Sequence, residues 1–223
     1  MKINFQPEFM LDVFPRILKY VHITLSITII SMIIGLTIGT IIALIRIYKI
    51  KGFESIVKAY VSFFRGTPLL VQLFLLYFGL PQVIPKLASM NAYTAAFIGL
   101  SLNSGAYMSE IIRGAISAID KGQMEACLSV GMTSWQGMKR VIIPQATRVA
   151  IPALGNTFIG LLKESSLAFT LGVSEMLAQA KMSAAATYRV FESYLTVALI
   201  YWVITIGFSY LQGKMEEKMN KAY

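Results

Sequence analysis

Five ionisable residues sit within or at the edge of stretches that are otherwise free of charge: Arg65, Glu110, Arg113, Lys163 and Glu164. A charge in such a setting is costly unless it is paired or wet, so each is a functional candidate. Glu110 and Arg113 stand three apart, a spacing that lets side chains meet on one helical face. They read as a buried pair that fixes packing or a gate. Lys163 and Glu164 are adjacent, and adjacent residues on a helix point about 100° apart. One face cannot serve both, and they read equally as solute contacts and as a gate or interhelical bond. Asn103, Ser104, Tyr107, Asn156, Thr157, Ser165 and Ser166 add amides and hydroxyls nearby in sequence. Any one of these hydroxyls most often closes an interhelical hydrogen bond. As a group they suggest the wall of a path for a polar solute.

Catalytic chemistry finds little support. His22 is the sole histidine and Cys127 the sole cysteine, so an intrachain disulfide and a thiolate metal site are both excluded. No HExxH occurs. Gly155 and Gly160 have the spacing of a P-loop, but Leu161 and Leu162 follow where Lys and Ser/Thr must neutralise phosphate and hold its metal. An intramembrane enzyme, the alternative from another class, would need a nucleophile with its base, a metal cluster or an acid pair. A self-sufficient carrier would show two related halves, and no internal repeat is present.

The elements that must carry these residues follow from composition. Of 223 residues, 56% are hydrophobic and 14% charged, against about 25% charged in a soluble domain. The apolar residues are gathered: 20–45 is a run of 26 uncharged residues, and 66–85, 87–109 and 193–213 are also uncharged. Roughly 20 apolar residues cross a hydrocarbon core about 30 Å thick. A further stretch, 149–162 and 165–174, is interrupted only by Lys163-Glu164. Five transmembrane helices are therefore expected, near 20–45, 57–80, 93–116, 147–170 and 192–212, in an all-α integral membrane protein. Gly35 and Gly39 form a small-xxx-small pair for close packing within the chain.

The formal net charge of +9 suits a membrane surface better than nucleic acid. With the N-terminus outside, the cytoplasmic segments collect twelve Lys and Arg and the external ones six, which obeys the positive-inside rule. The first 19 residues hold Pro7, Pro15 and two acids and lack a cleavage site, so no signal peptide is expected. The expected organisation is an external segment at 1–18, a membrane domain at 19–212 and a cytoplasmic tail at 213–223.

The longest polar stretch, 120–148, falls on the cytoplasmic side and is longer than the roughly 2–8 residues that join bundle helices. It reads as two short helices meeting at Gly131, with Met124, Trp135 and Met138 exposed toward a protein partner, Glu125 favouring a helix N-terminus, and Pro144 breaking the chain before it re-enters the membrane. Here Glu125-Ala126-Cys127, three residues, Gly131, nine residues and Val141-Ile142-Ile143-Pro144 resemble the EAA loop of ABC importer permeases. The family pattern is Glu-Ala-Ala, Gly, then Ile-x-Leu-Pro at this spacing; Cys127, Val141 and Ile143 depart from it by modest swaps. Phe64-Arg65-Gly66-Thr67-Pro68, Ser101-Leu102, Gly105-Ala106-Tyr107, Glu110, Arg113-Gly114, Pro144-Gln145-Ala146 and Leu162-Lys163-Glu164-Ser165-Ser166 are similar to the polar amino-acid branch. Residues 119–123 and 131–136 are most like the cystine permeases.

The resemblance implies a type I importer permease fold and a subunit of an amino-acid importer, for L-cystine or for glutamine, arginine or histidine. It implies a coupling loop at Gly122, Glu125, Ala126, Cys127, Gly131 and Pro144 that docks on an ATPase. A zwitterionic substrate then makes Asn103, Tyr107, Glu110, Asn156, Lys163, Glu164 and Ser165 the expected pathway or gate, since opposite charges and amides must replace lost hydration. It further implies two ATPase subunits that bind ATP and Mg, a second permease copy (identical or paralogous), an extracytoplasmic binding protein, and residence in a bacterial inner membrane. No cofactor is expected on this chain, and no nucleic acid among its partners.

Overall fold

The computed structural model describes residues 5–220, and all of their regular structure is helical. The helices are α1 (Pro7–Leu18), α2 (Val21–Ile47), α3 (Phe53–Gly66), α4 (Leu69–Phe74), α5 (Leu80–Val83), α6 (Ala92–Ser117), α7 (Lys121–Ser129), α8 (Ser134–Gly137), α9 (Ile143–Glu164), α10 (Met176–Thr187) and α11 (Val190–Asn220). α2 and α11 are each long and apolar enough to cross a membrane, and α3 with the segment Leu69–Val83 is so only as a bent pair. α6 and α9 are long enough but less apolar. α6 is the inner helix of the bundle, packed between α2, α3 and α9. A helix covered by protein does not need an apolar surface on every side.

The centre of the fold is the α2–α6 contact, and it is made by missing side chains. A Cβ on Gly35 would lie 2.3 Å from Ser104 Oγ, and one on Gly39 would lie 2.9 Å from Met108 Cβ and 3.0 Å from the Gly105 carbonyl. Ser31 donates across the same seam to the Phe97 carbonyl at 3.2 Å. Small residues bring two backbones close enough for dispersion and interhelical hydrogen bonds to hold them without a hydrophobic driving force. Ile27, Leu73, Leu100, Met108 and Leu161 form the buried core around that seam. A second core joins α1, α10 and α11 through Val13, Ile17, Met176, Ala180, Val197 and Ile200.

Three expectations are corrected. The helix expected at 57–80 is broken: α3 and the following segment meet at 112°, because Pro68 has no N–H to continue α3 and forces Thr67 into extended backbone (ψ 149°). The helix expected at 147–170 starts at 143 and ends at Glu164, then tightens into a 3₁₀ segment, Ser165–Leu171, that stops at Gly172 with φ +97°. Pro144 does not break the chain. A π-type turn, Met138–Ile142, leads straight into α9, with Pro144 in its first turn, where the missing N–H is tolerated. Two helices, α1 and α10, lie in segments for which no element was expected. α11 runs through Gly213 to Asn220 without interruption; residues 221–223 of the expected tail and 1–4 of the external segment lie outside the described residues.

Candidate functional site

A cavity of about 310 Å³ opens between α3, α6 and the last turns of α9. Its wall includes Arg65, Asn103, Tyr107, Glu110, Thr157 and Glu164. Asn103, Tyr107 and Glu110 come from α6 at spacings of four and three, one face of that helix. Thr157 and Glu164 lie seven apart on α9 and share a face for the same reason. Arg65 comes from the end of α3, just before the bend at Thr67-Pro68, where α3 packs on α6.

The charges in this wall differ in how they are held. Glu110 accepts from Arg46 at the end of α2, which ties α2 to α6, and from Arg113 on its own helix at 2.7 and 3.1 Å. The Arg65 guanidinium lies over the Tyr107 ring, 5.5 Å from its centroid, where the negative ring face attracts a cation. Among the described residues neither Arg65 nor Glu164 makes an ion pair, and both are exposed to the cavity side. The site thus presents one cation and one anion that no ion pair among the described residues ties down.

Other expected residues lie elsewhere. Lys163 lines a separate pocket with Ser166, Tyr194 and Tyr201 against α11, as the 100° offset from Glu164 requires. Ser165 is buried and donates to the Leu162 carbonyl at 2.8 Å. Asn156 is exposed and outside the cavity lining. Two residues were not singled out from sequence. Gln72 is buried at the α3–α4 bend. Glu175 is fully buried, caps α10 through the Ala178 N–H at 2.7 Å and accepts from Tyr201 at 3.0 Å. A polar residue inside an apolar run is the signal for Gln72. An acid three residues before an amide that begins a helix is the signal for Glu175. Among the described residues no group of His, Cys, Asp and Glu is arranged to hold a metal.

At the other functional segment, α7 and α8 form a compact hairpin. Asp120, not Glu125, caps α7, accepting from the Gly122 N–H at 2.8 Å. Glu125 stands a turn further on and is exposed. At the end of α7 the Gly131 N–H donates to the Leu128 carbonyl and the Met132 N–H to the Cys127 carbonyl, both at 3.0 Å. This is a Schellman closure, and its left-handed residue is Gly131 at φ +82°. Thr133 and Gln136 close α8 with a capping box. The expectation that Met124 and Met138 face outward is corrected. Gly137 leaves a gap that Met124 Sδ and Cys127 fill, 3.0 and 3.1 Å from where its Cβ would be, and Met138 is buried. The apolar surface that remains outward is Leu128, Val130 and Trp135, at 48%, 76% and 63% exposure, beside exposed Ala126.

A helical membrane bundle with a charge-lined cavity at its inner helix, and a rigid two-helix projection with an apolar tip, is built as a transport subunit that works against a partner protein. The family model described as "Binding-protein-dependent transport system inner membrane component" matches residues 35–221. The chain belongs to that family, the permeases of ABC importers. Probable amino-acid permease protein YxeN of Bacillus subtilis (strain 168) is 56% identical over 216 residues, 97% of this chain and 96% of that protein. Probable amino-acid ABC transporter permease protein PatM of Vibrio harveyi is 50% identical over 220 residues, 99% of each. A crystal structure of an amino acid ABC transporter with histidines superposes with a TM-score of 0.90 at 40% identity, covering 97% of this chain and 100% of that one. The fold is that of the type I importer permeases. Membership makes the chain a membrane component of a transport system rather than an enzyme, with ATP bound on a separate subunit and substrate brought by a binding protein.

Proposed function

We propose that this chain carries a polar amino acid through the bacterial inner membrane, with the cavity at α3, α6 and α9 as the place where the substrate is held. The observation that supports this reading is a guanidinium, Arg65, and a carboxylate, Glu164, in one wall, neither held in an ion pair among the described residues. A zwitterion leaving water loses hydration at both ends. A fixed cation for its carboxylate and a fixed anion for its ammonium replace that hydration with charge-assisted hydrogen bonds. Thr157 and the rim of Tyr107 add polar and aromatic contact.

The α7–α8 hairpin is the ATPase-docking element in this account, with Glu125, Ala126, Gly131 and the exposed Leu128, Val130 and Trp135 at the contact. Two permease chains, identical or paralogous, and two ATPase subunits complete the importer. Five crossings follow from the uncharged runs, and the twelve-to-six charge count then puts the N-terminus outside and the C-terminus in the cytoplasm. L-cystine is the first substrate to test, on the strength of residues 119–123 and 131–136. Relatives named for transport of arginine, L-cystine and glutamine all match over most of this chain, so the panel includes those three. In proteoliposomes holding the complete importer, one of these amino acids should accumulate only when ATP and the binding protein are both present. Accumulation that persists without the ATPase subunit would overturn the assignment.

A further inference from the structure

The break between α3 and α4 at Thr67-Pro68 leaves carbonyls at the end of α3 without helical partners. One buried side chain collects them. Gln72, 5% exposed, turns back across the bend. Its Nε2 lies 3.0 Å from the Phe64 carbonyl, 3.0 Å from the Thr67 carbonyl and 2.8 Å from Thr67 Oγ1, two N–H groups shared among three acceptors. From α6, the Asn103 side chain donates to Gln72 Oε1 at 2.9 Å and to the same Phe64 carbonyl at 3.2 Å. Arg65 follows Phe64 directly, and its guanidinium lies over Tyr107, one helical turn beyond Asn103. One face of α6 therefore grips both the backbone before the bend and the cation beside it.

We propose that Gln72, with Asn103, is a positioning residue: it clamps the bend and so fixes where Arg65 presents its charge to the solute. Gln72 is not in the cavity wall and acts through Arg65. This rests on the reading of Arg65 as a substrate contact. An unclamped bend has several backbone arrangements available to it, and a guanidinium carried on such a segment meets the solute in the competent geometry only part of the time. Apparent affinity then falls by that fraction, with the chemistry of Arg65 unchanged.

The test uses the complete importer in proteoliposomes, on a Cys127→Ala background, with spin labels at the exposed positions Ile56 and Val83 on either side of the bend. Gln72→Met removes the amide and keeps the bulk. It should broaden the Ile56–Val83 distance distribution and raise the KM for uptake by about fivefold to tenfold, the scale of losing one or two net hydrogen bonds. Maximal rate and binding-protein-stimulated ATP hydrolysis should hold. The probe is whichever of radiolabelled L-cystine, L-arginine and L-glutamine the unmodified importer accumulates. Thr67→Val, which removes one acceptor and little volume, should give a smaller shift in the same direction and serves if Gln72→Met does not assemble. A distribution as narrow as the unmodified chain's would overturn the clamp. A broadened distribution with unchanged KM, while Arg65→Met raises KM, would overturn the link to Arg65. If Arg65→Met itself leaves KM unchanged, the substrate-contact reading fails, and the distance distribution alone decides whether Gln72 clamps the bend.

Discussion

Replacing Gly131 by alanine isolates one backbone angle. Gly131 holds φ at +82°, and a Cβ added there meets nothing within 4 Å, so alanine brings no clash inside the chain. What it brings is the left-handed penalty of an L-residue, about 1–2 kcal/mol. That shifts the balance between the closed Schellman turn and open alternatives by a factor of about 5–30. The turn sets the angle between α7 and α8, and hence how Ala126, Val130 and Trp135 are presented together. In the reconstituted importer, Gly131→Ala is expected to lower the substrate moved per ATP hydrolysed and to speed hydrogen exchange at the Met132 amide, which the turn protects. Gly131→Asn, which tolerates this conformation, should recover most of both. Gly131→Asp shares that tolerance, so any uncoupling beyond that of asparagine measures the approach of a partner surface. Normal coupling with alanine, together with unchanged exchange, would refute the argument that this turn geometry matters.

Two further outcomes follow from the geometry. Gly39→Ala places a methyl 2.9–3.0 Å from Met108 and the α6 backbone, which helices cannot relieve by a rotamer change. Overpacking of this kind costs about 1–3 kcal/mol, read as a lower thermal transition of the purified complex, whereas Gly114→Ala, with open space around it, should leave the transition in place. Cysteines at the exposed positions Glu8 and Glu217 should label differently with an impermeant thiol reagent in intact cells, Glu8→Cys strongly and Glu217→Cys weakly; equal labelling would mean an even number of crossings.

The sequence reads well where one physical signal dominates. The uncharged runs mark α2, α6 and α11, and Gly35 and Gly39 announce the seam on which α6 packs. The bend at Thr67-Pro68 is illegible from the same signal, because 66–85 is as uncharged as a straight crossing. Hydropathy does not register direction; the mark of the bend is Pro68. Helices α1 and α10 escape because they are short and mixed. Their only marks are apolar pairs four apart, Val13 with Ile17 and Met176 with Ala180, facing a core that includes distant α11. At the site, Asn103, Tyr107, Glu110 and Glu164 stand out as polar groups in apolar surroundings, and the helical period accounts for their shared cavity. Lys163 diverges from Glu164 for the same reason. Arg65 is visible as a charge, but its place in the cavity comes from the packing of α3 on α6, which hydropathy does not encode. In the α7–α8 hairpin the motif is legible while the inward turn of Met124 and Met138 is not, since it depends on the gap left by Gly137.

On the proposed reading the chain itself offers a zwitterion two fixed opposite charges, Arg65 and Glu164. Equilibrium binding of the radiolabelled transported amino acid to the purified permease–ATPase complex, with the binding protein left out, tests it most directly. The account expects saturable binding that weakens about tenfold or more in Arg65→Gln and in Glu164→Gln, the loss of one charge-assisted contact, and that is untouched in Lys163→Gln, whose side chain lies in the other pocket. No saturable binding in the unmodified complex, or equal affinity in Arg65→Gln and Glu164→Gln, would contradict it.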